Sequence, residues 1–197
     1  MITPERFNLV KQHWGELASW AVWAEMGATP RTNIGDLTIF KSEEILEILQ
    51  PEIIFVGLNI SRDDLKDREP FANFHSNYGH AQEYKLRQVL KGTGLWGGYL
   101  TDIIKDYPDI NSANVLKKLK EDPNIEIENV ERFRREINDL GVEAPIIIAL
   151  GGATYTILSR NFKHLTVVKL THFSARIKLA KYKQEVDQLC KKLNLSF

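Results

Sequence analysis

At 197 residues, with 43% hydrophobic and 26% charged residues, the chain has the make-up of one globular domain with a sizeable core. Its 26 basic and 26 acidic side chains cancel, which removes any global electrostatic attraction to nucleic acid. A single cysteine, Cys190, excludes an internal disulfide framework, a four-cysteine zinc site and a cysteine-ligated iron–sulfur cluster.

That cysteine usage fits a reducing cytoplasm, and Cys190 beside Leu189 reads as a small buried hydrophobe. The first residues, Met-Ile-Thr-Pro-Glu-Arg, lack the apolar core of a signal peptide, and no run is long enough to span a membrane. The expectation is a cytoplasmic protein with no membrane partner. From Arg160 onward the chain is basic, with Lys163, Lys169, Arg176, Lys178, Lys181, Lys183, Lys191 and Lys192 opposed only by Glu185 and Asp187. Most of these read as solvated helix lysines.

In chain order, Thr3-Pro4 predicts an N-cap with proline at the first helical position. Phe7, Val10, Trp14, Leu17 and Ala21 continue at helical spacing to about Met26, before Gly27. Trp14, Trp20 and Trp23 fit a packed face better than a base-stacking platform. Gly35 to Phe40 reads as a short strand, and Ser42 caps a helix with Ile45, Ile48 and Leu49 inward. Residues 1–50 thus read as a helical extension packed on one domain that takes in the whole chain, 1–197.

Ile53 to Val56 is an unbroken apolar run ending at Gly57, Asn59 and Ser61, the pattern of a strand buried on both faces. Arg62 to Gln82 is polar and aperiodic, yet it holds Phe71, Phe74, His75, Tyr78 and His80; loops of that length in compact domains are usually functional or mobile. A helix with Leu86, Val89 and Leu90 inward follows and breaks at Gly92 and Gly94. Tyr99 to Ile104 reads as a strand with Asp102 near its end. Asp106 to Ile125 reads as an irregular insertion around a short helix at Val115 to Lys120. Glu128 to Leu140 is a helix stopped by Gly141. Pro145 to Leu150 is a buried strand, and Gly151-Gly152-Ala153-Thr154 turns into a helix whose N-terminus exposes backbone N–H groups. Leu165 to Leu170 is the last strand, followed by His172 and a terminal helix with Tyr182, Val186, Leu189 and Leu193 inward. Strands alternating with helices predict a three-layer α/β/α sandwich around a central, mainly parallel four-stranded sheet. In such sheets ligands bind beyond the carboxyl ends of the strands, which brings Asn59, Asp102 and His172 to one cleft.

At these positions the sequence resembles the uracil-DNA glycosylase superfamily, in its mismatch-specific and single-strand-selective branches. Gly57-Leu58-Asn59-Ile60-Ser61 is similar to the first motif, Gly-x-Asn-Pro-Gly/Ser, and Pro70-Phe71-Ala72-Asn73-Phe74-His75 to the aromatic stretch after it. Leu86 to Leu95 resembles the helix ending in Ser-Gly-Leu. Leu100-Thr101-Asp102-Ile103-Ile104 resembles the Leu/Ile-Thr-Asn-Leu-Val strand, Ile146 to Gly151 the penultimate strand, and His172-Phe173-Ser174 the second motif, His-Pro-Ser. Order and spacing agree from about Ile53 to Ile177.

The resemblance implies a DNA base glycosylase that flips a damaged or mismatched base into a pocket and hydrolyses its N-glycosidic bond, as in DNA repair. It implies catalytic roles for Asn59, positioning the attacking water, and for His172, hydrogen-bonding the departing base. Phe74, or else Phe71, would stack on the base, with Leu58 and Asp102 also at the base. Ser61, Gly151, Gly152, Ser174, Arg176 and Lys178 would meet phosphates. No metal and no cofactor is needed. The partner would be DNA, single- or double-stranded, or a nucleobase-like small molecule.

Three positions depart from the pattern. Ile60 and Phe173 replace prolines that fix φ, and Asp102 replaces an asparagine that reads uracil. An ionised aspartate only accepts hydrogen bonds, so the expected base presents donors, such as an exocyclic amine or a ring N–H. These departures and the neutral charge also admit a non-catalytic nucleobase-, nucleotide- or nucleic-acid-binding protein on the same fold. An unrelated Rossmann-like nucleotide domain ranks last, because Gly-x-Gly-x-x-Gly is missing after the first strand.

Overall fold

The computed structural model describes residues 1–61, 69–76 and 81–195; Tyr78 and His80 lie outside the described residues. Helix α1 (Pro4–Trp14) starts on the Thr3 cap, whose side chain accepts from Arg6 N. It stops well short of Met26. At Gly15 a Cβ would stand 2.4 Å from Lys11 O and 2.9 Å from Pro70 Cβ, so the chain passes too close to itself there for any side chain. The next residues turn into strand β1 (Ser19–Trp20), which pairs antiparallel with strand β3 (Gly98–Ile104). The first 50 residues therefore give the sheet an edge strand. The strand expected at Gly35–Phe40 is instead a 3-10 turn at Thr38–Lys41, followed by another at Glu43–Glu47 on the Ser42 cap.

The apolar run lies within strand β2 (Gln50–Asn59). Beyond it come α2 (Tyr84–Leu90), α3 (Ser112–Glu121), α4 (Pro123–Leu140), β4 (Ile146–Leu150), α5 (Gly152–Asn161), β5 (Thr166–Leu170) and α6 (Leu179–Leu193). Helix α4 begins earlier than Glu128 because Asp122 caps it and Pro123 fills its first position. Among the described residues the sheet has five strands in the order β1-β3-β2-β4-β5, rather than four, and all but β1 run parallel.

Alternation along β2 separates two cores. Ile54, Val56 and Leu58 face a cluster with side chains of α1, α3, α4 and α5. Ile53 and Phe55 face a second cluster with side chains of α2 and α6, including Cys190. Helices thus cover both faces of the sheet. Burying each of Ile53, Ile54, Phe55 and Val56 contributes about 1.5–3 kcal/mol, which is why this strand lies inside the sheet. Among the described residues no helix is long and apolar enough to cross a membrane.

Candidate functional site at the carboxyl edge of the sheet

The parallel strands end on one edge. Ala149 pairs with both Val56 and Lys169, so Asn59 and His172 each lie three residues further along their own chains. Both therefore lie just beyond this edge, on either side of β4. Asp102 pairs with Gly57, which puts it two residues below Asn59, at the floor of the same edge.

Asp102 is buried on the α2–α6 face, the face of Leu100. Its carboxyl lies over the β2 backbone because Gly57 leaves the space: a Cβ there would be 2.1 Å from Asp102 Oδ1. Gly57 therefore makes room for a side chain of the protein itself. Asn73 Nδ2 donates to Leu17 O at 2.7 Å and reaches Asp102 Oδ2 at 3.5 Å. Burial pushes the Asp102 carboxyl up to about 7, against the pull of Lys105 and of the Asn73 contact. At neutral pH its protonated and ionised forms are therefore both present. The ionised form only accepts, whereas the protonated form donates and accepts, as an asparagine does.

His172 follows β5. Its Nδ1 accepts from Ser174 N at 3.2 Å and lies 2.7 Å from Ser174 Oγ. A backbone N–H can only donate, so Nδ1 is an acceptor and the proton sits on Nε2. Among the described residues nothing is hydrogen-bonded to Nε2. Desolvation holds the imidazole pKa down at about 4, so at neutral pH His172 is an uncharged donor. Its ring stacks on Phe173 with centroids 4.3 Å apart, and Phe173 meets Phe74 edge-on at 6.4 Å. Phe173 stiffens its loop by burial where the motif uses a proline ring.

The two phenylalanines part company. Both hold positive φ, 70° at Phe71 and 63° at Phe74, a conformation that costs bulky residues about 1–3 kcal/mol each. Phe71 is 0% exposed in the α1–α4 core, between Phe7 at 5.4 Å and Phe40 at 5.2 Å. It is a packing residue and presents no face to a base. Phe74 lies on the α2–α6 face with Phe173; its carbonyl accepts from Trp23 Nε1 at 3.3 Å and its N–H donates to Asn73 Oδ1 at 3.2 Å. Leu58 also leaves the site, turned into the α1–α4 core.

Asn59 is half-buried, and its amide is engaged. Nδ2 donates to Ile60 O at 2.9 Å and Asp109 O at 2.8 Å, with Tyr107 O at 3.5 Å, while Asp109 N donates to Ile60 O at 3.2 Å. The side chain clamps the β3–α3 loop to the end of β2. Ser61, Gly152, Ser174, Arg176 and Lys178 are exposed on this edge. Gly151, at φ 99°, sits beside His172, whose Cβ would be 3.8 Å from a Cβ added there.

Two contributors carry no flag in the sequence. Asn73, inside the aromatic stretch, ties Phe74 to Asp102. Lys85 reads as an ordinary helix lysine, yet it is buried and hydrogen-bonded to the loop after His172. Among the described residues no group of three or more His, Cys, Asp or Glu could hold a metal ion.

These features define an α/β domain with a polar site at the carboxyl edge of a mostly parallel sheet: a neutral histidine donor, a buried protonatable carboxyl and a clamped asparagine. Compared with protein-family models, with curated proteins and with solved structures, the chain matches none.

Proposed function

We propose that the protein is a divergent member of the uracil-DNA glycosylase superfamily, with its three-layer fold, and that it hydrolyses the N-glycosidic bond of a damaged or mismatched base in DNA. The observation that carries this reading is His172, held neutral with Nε2–H as its donor at the same sheet edge as Asn59. As the bond from C1′ to the base nitrogen breaks, the electron pair passes to the base and negative charge grows on its carbonyl oxygen. A preorganised neutral donor at that oxygen stabilises this charge without having to give up a proton. Water forms the new bond at C1′, and the proton it loses neutralises the departed base. In its protonated form Asp102 gives the base both a donor and an acceptor, so the substrate class widens from donor-presenting bases to those with a lactam edge, uracil and hypoxanthine among them.

A second reading, a non-catalytic nucleobase-binding protein on the same fold, is supported by the Asn59 amide, whose N–H groups hold the β3–α3 loop. Strand scission after alkaline treatment separates the two. Labelled oligonucleotides with uracil, hypoxanthine, xanthine or mismatched thymine are incubated with wild type, Asn59→Ala and His172→Ala. Cleavage of one substrate that both variants lose establishes the glycosylase. Retention of a base-containing strand without scission establishes the binding protein, and neither scission nor retention removes both.

A further inference from the structure

Helix α2 turns two cations inward. Arg87 donates to Ala24 O at 3.1 Å and Pro30 O at 2.7 Å, tying down the segment that leads out of β1. Lys85 Nζ donates to the carbonyls of Phe173 and Ala175, both at 3.1 Å. Among the described residues no carboxylate lies within ion-pair distance of Lys85. Burying an ammonium with no carboxylate beside it is costly, so its two contacts have to matter.

The peptide between Phe173 and Ser174 explains how. Its C=O accepts from Lys85 and its N–H donates to His172 Nδ1. A trans peptide is planar, with C=O and N–H directed to opposite sides. One rigid unit therefore stands between the ammonium and the imidazole, and fixing one end aims the other. The charge on Lys85 also polarises the carbonyl, and a polarised peptide is a stronger N–H donor. The turn is closed from within by Ala175 N donating to His172 O at 2.9 Å. The Ser174 hydroxyl does not make the selection, because it rotates and can either donate to Nδ1 or accept from it.

We propose that Lys85 is a positioning residue for His172: by holding the Phe173 carbonyl inward, it aims Ser174 N–H at Nδ1 and so fixes the ring proton on Nε2. The proposal concerns the state of one imidazole, and it stands whether or not the site cleaves a glycosidic bond.

The test is a long-range proton–nitrogen correlation spectrum of the full ¹⁵N-labelled chain at neutral pH, with the His172 signals assigned through His172→Gln. Wild type is expected to show the Nε2–H form alone. In Lys85→Met the Nδ1–H form should rise about tenfold, the change that losing one aimed hydrogen bond supports. Ser174→Ala, which keeps the N–H, should retain the wild-type pattern. If circular dichroism shows Lys85→Met unfolded, Lys85→Gln takes its place; its neutral, shorter side chain should also populate the Nδ1–H form. A merely structural lysine lowers the melting temperature and leaves the tautomer alone. An Nδ1–H form in wild type, an unchanged tautomer in the folded Lys85 variant, or a Ser174→Ala spectrum matching Lys85→Met would each overturn the proposal.

Discussion

Strand β3 carries buried polar groups on both faces, and the faces treat them differently. Toward α4, Glu136 Oε1 accepts from Tyr99 OH at 2.7 Å and Thr101 Oγ1 at 2.8 Å, and Glu136 Oε2 pairs with Lys105 Nζ at 2.8 Å. Lys105 also donates from Nζ to Asp102 O and from its backbone to Asn129 Oδ1. Both charged side chains of that pair are 0% exposed. Toward α2 and α6, among the described residues the Asp102 carboxyl has one long contact from Asn73 and no ion pair. A compensated buried charge builds a fold. A carboxyl left uncompensated has its pKa displaced, and displaced groups gather where ligands bind.

Breaking the compensated side should have the largest effect. Lys105→Met leaves Glu136 charged in the core, and such losses run at about 3–5 kcal/mol. Urea unfolding at pH 7 measures it, and a loss under 1 kcal/mol would remove the contrast between the faces.

The uncompensated side should reveal itself through pH. The Asp102 carboxyl is held near 7, above its ordinary 3.8, so the folded chain binds this proton more tightly than the unfolded chain does. Its contribution is fully present below about pH 4, is lost as the pH rises to 7, and then levels off, with a total span of roughly 4 kcal/mol. Asp102→Asn keeps the shape without the proton, so the stability difference between the two proteins should trace that curve. His75 and His172, both held near 4 against an ordinary 6.5, act in the opposite sense. They are present in both proteins and cancel in the difference. A flat difference from pH 4 to 8 would show that Asp102 is ionised throughout.

A smaller effect is expected from Gly57→Ala, whose added carbon must displace the Asp102 carboxyl. Overpacking of this kind costs about 1–3 kcal/mol, read as a lower urea midpoint. The smallest should come from Arg176→Ala and Lys178→Ala. Each should stay within about 0.5 kcal/mol of wild type in stability. On the proposed glycosylase reading, each should also reduce the salt dependence of binding to an oligonucleotide by about one phosphate contact.

What was legible followed the range of the forces involved. Ile53 to Val56 announced β2, and Gly141 announced the end of α4, because strand burial and helix stops act through neighbours in sequence. Trp14, Leu17 and Ala21 mimicked a helix past its true end, since the close approach of Pro70 to Gly15 cannot be read locally. Ser19–Trp20 is too short to announce a strand. Asn59, Asp102 and His172 were found as strand tips, and the structure does bring their strand ends to one edge. Phe71 and Leu58 were misplaced because alternation assigns a face only once the strand and loop paths are known. Lys85 stayed hidden because its partners lie 88 and 90 residues away.

The missing carbon at position 57 also binds two positions into a shared history. A side chain at 57 and a carboxyl at 102 exclude each other, so residue 57 is not free to gain a side chain while the acid remains. The penalty of Gly57→Ala should largely vanish when residue 102 is also cut back to alanine, as expected for neighbours that compete for one space. In descendants of this chain, a lineage that loses the acid is the one in which the glycine is released.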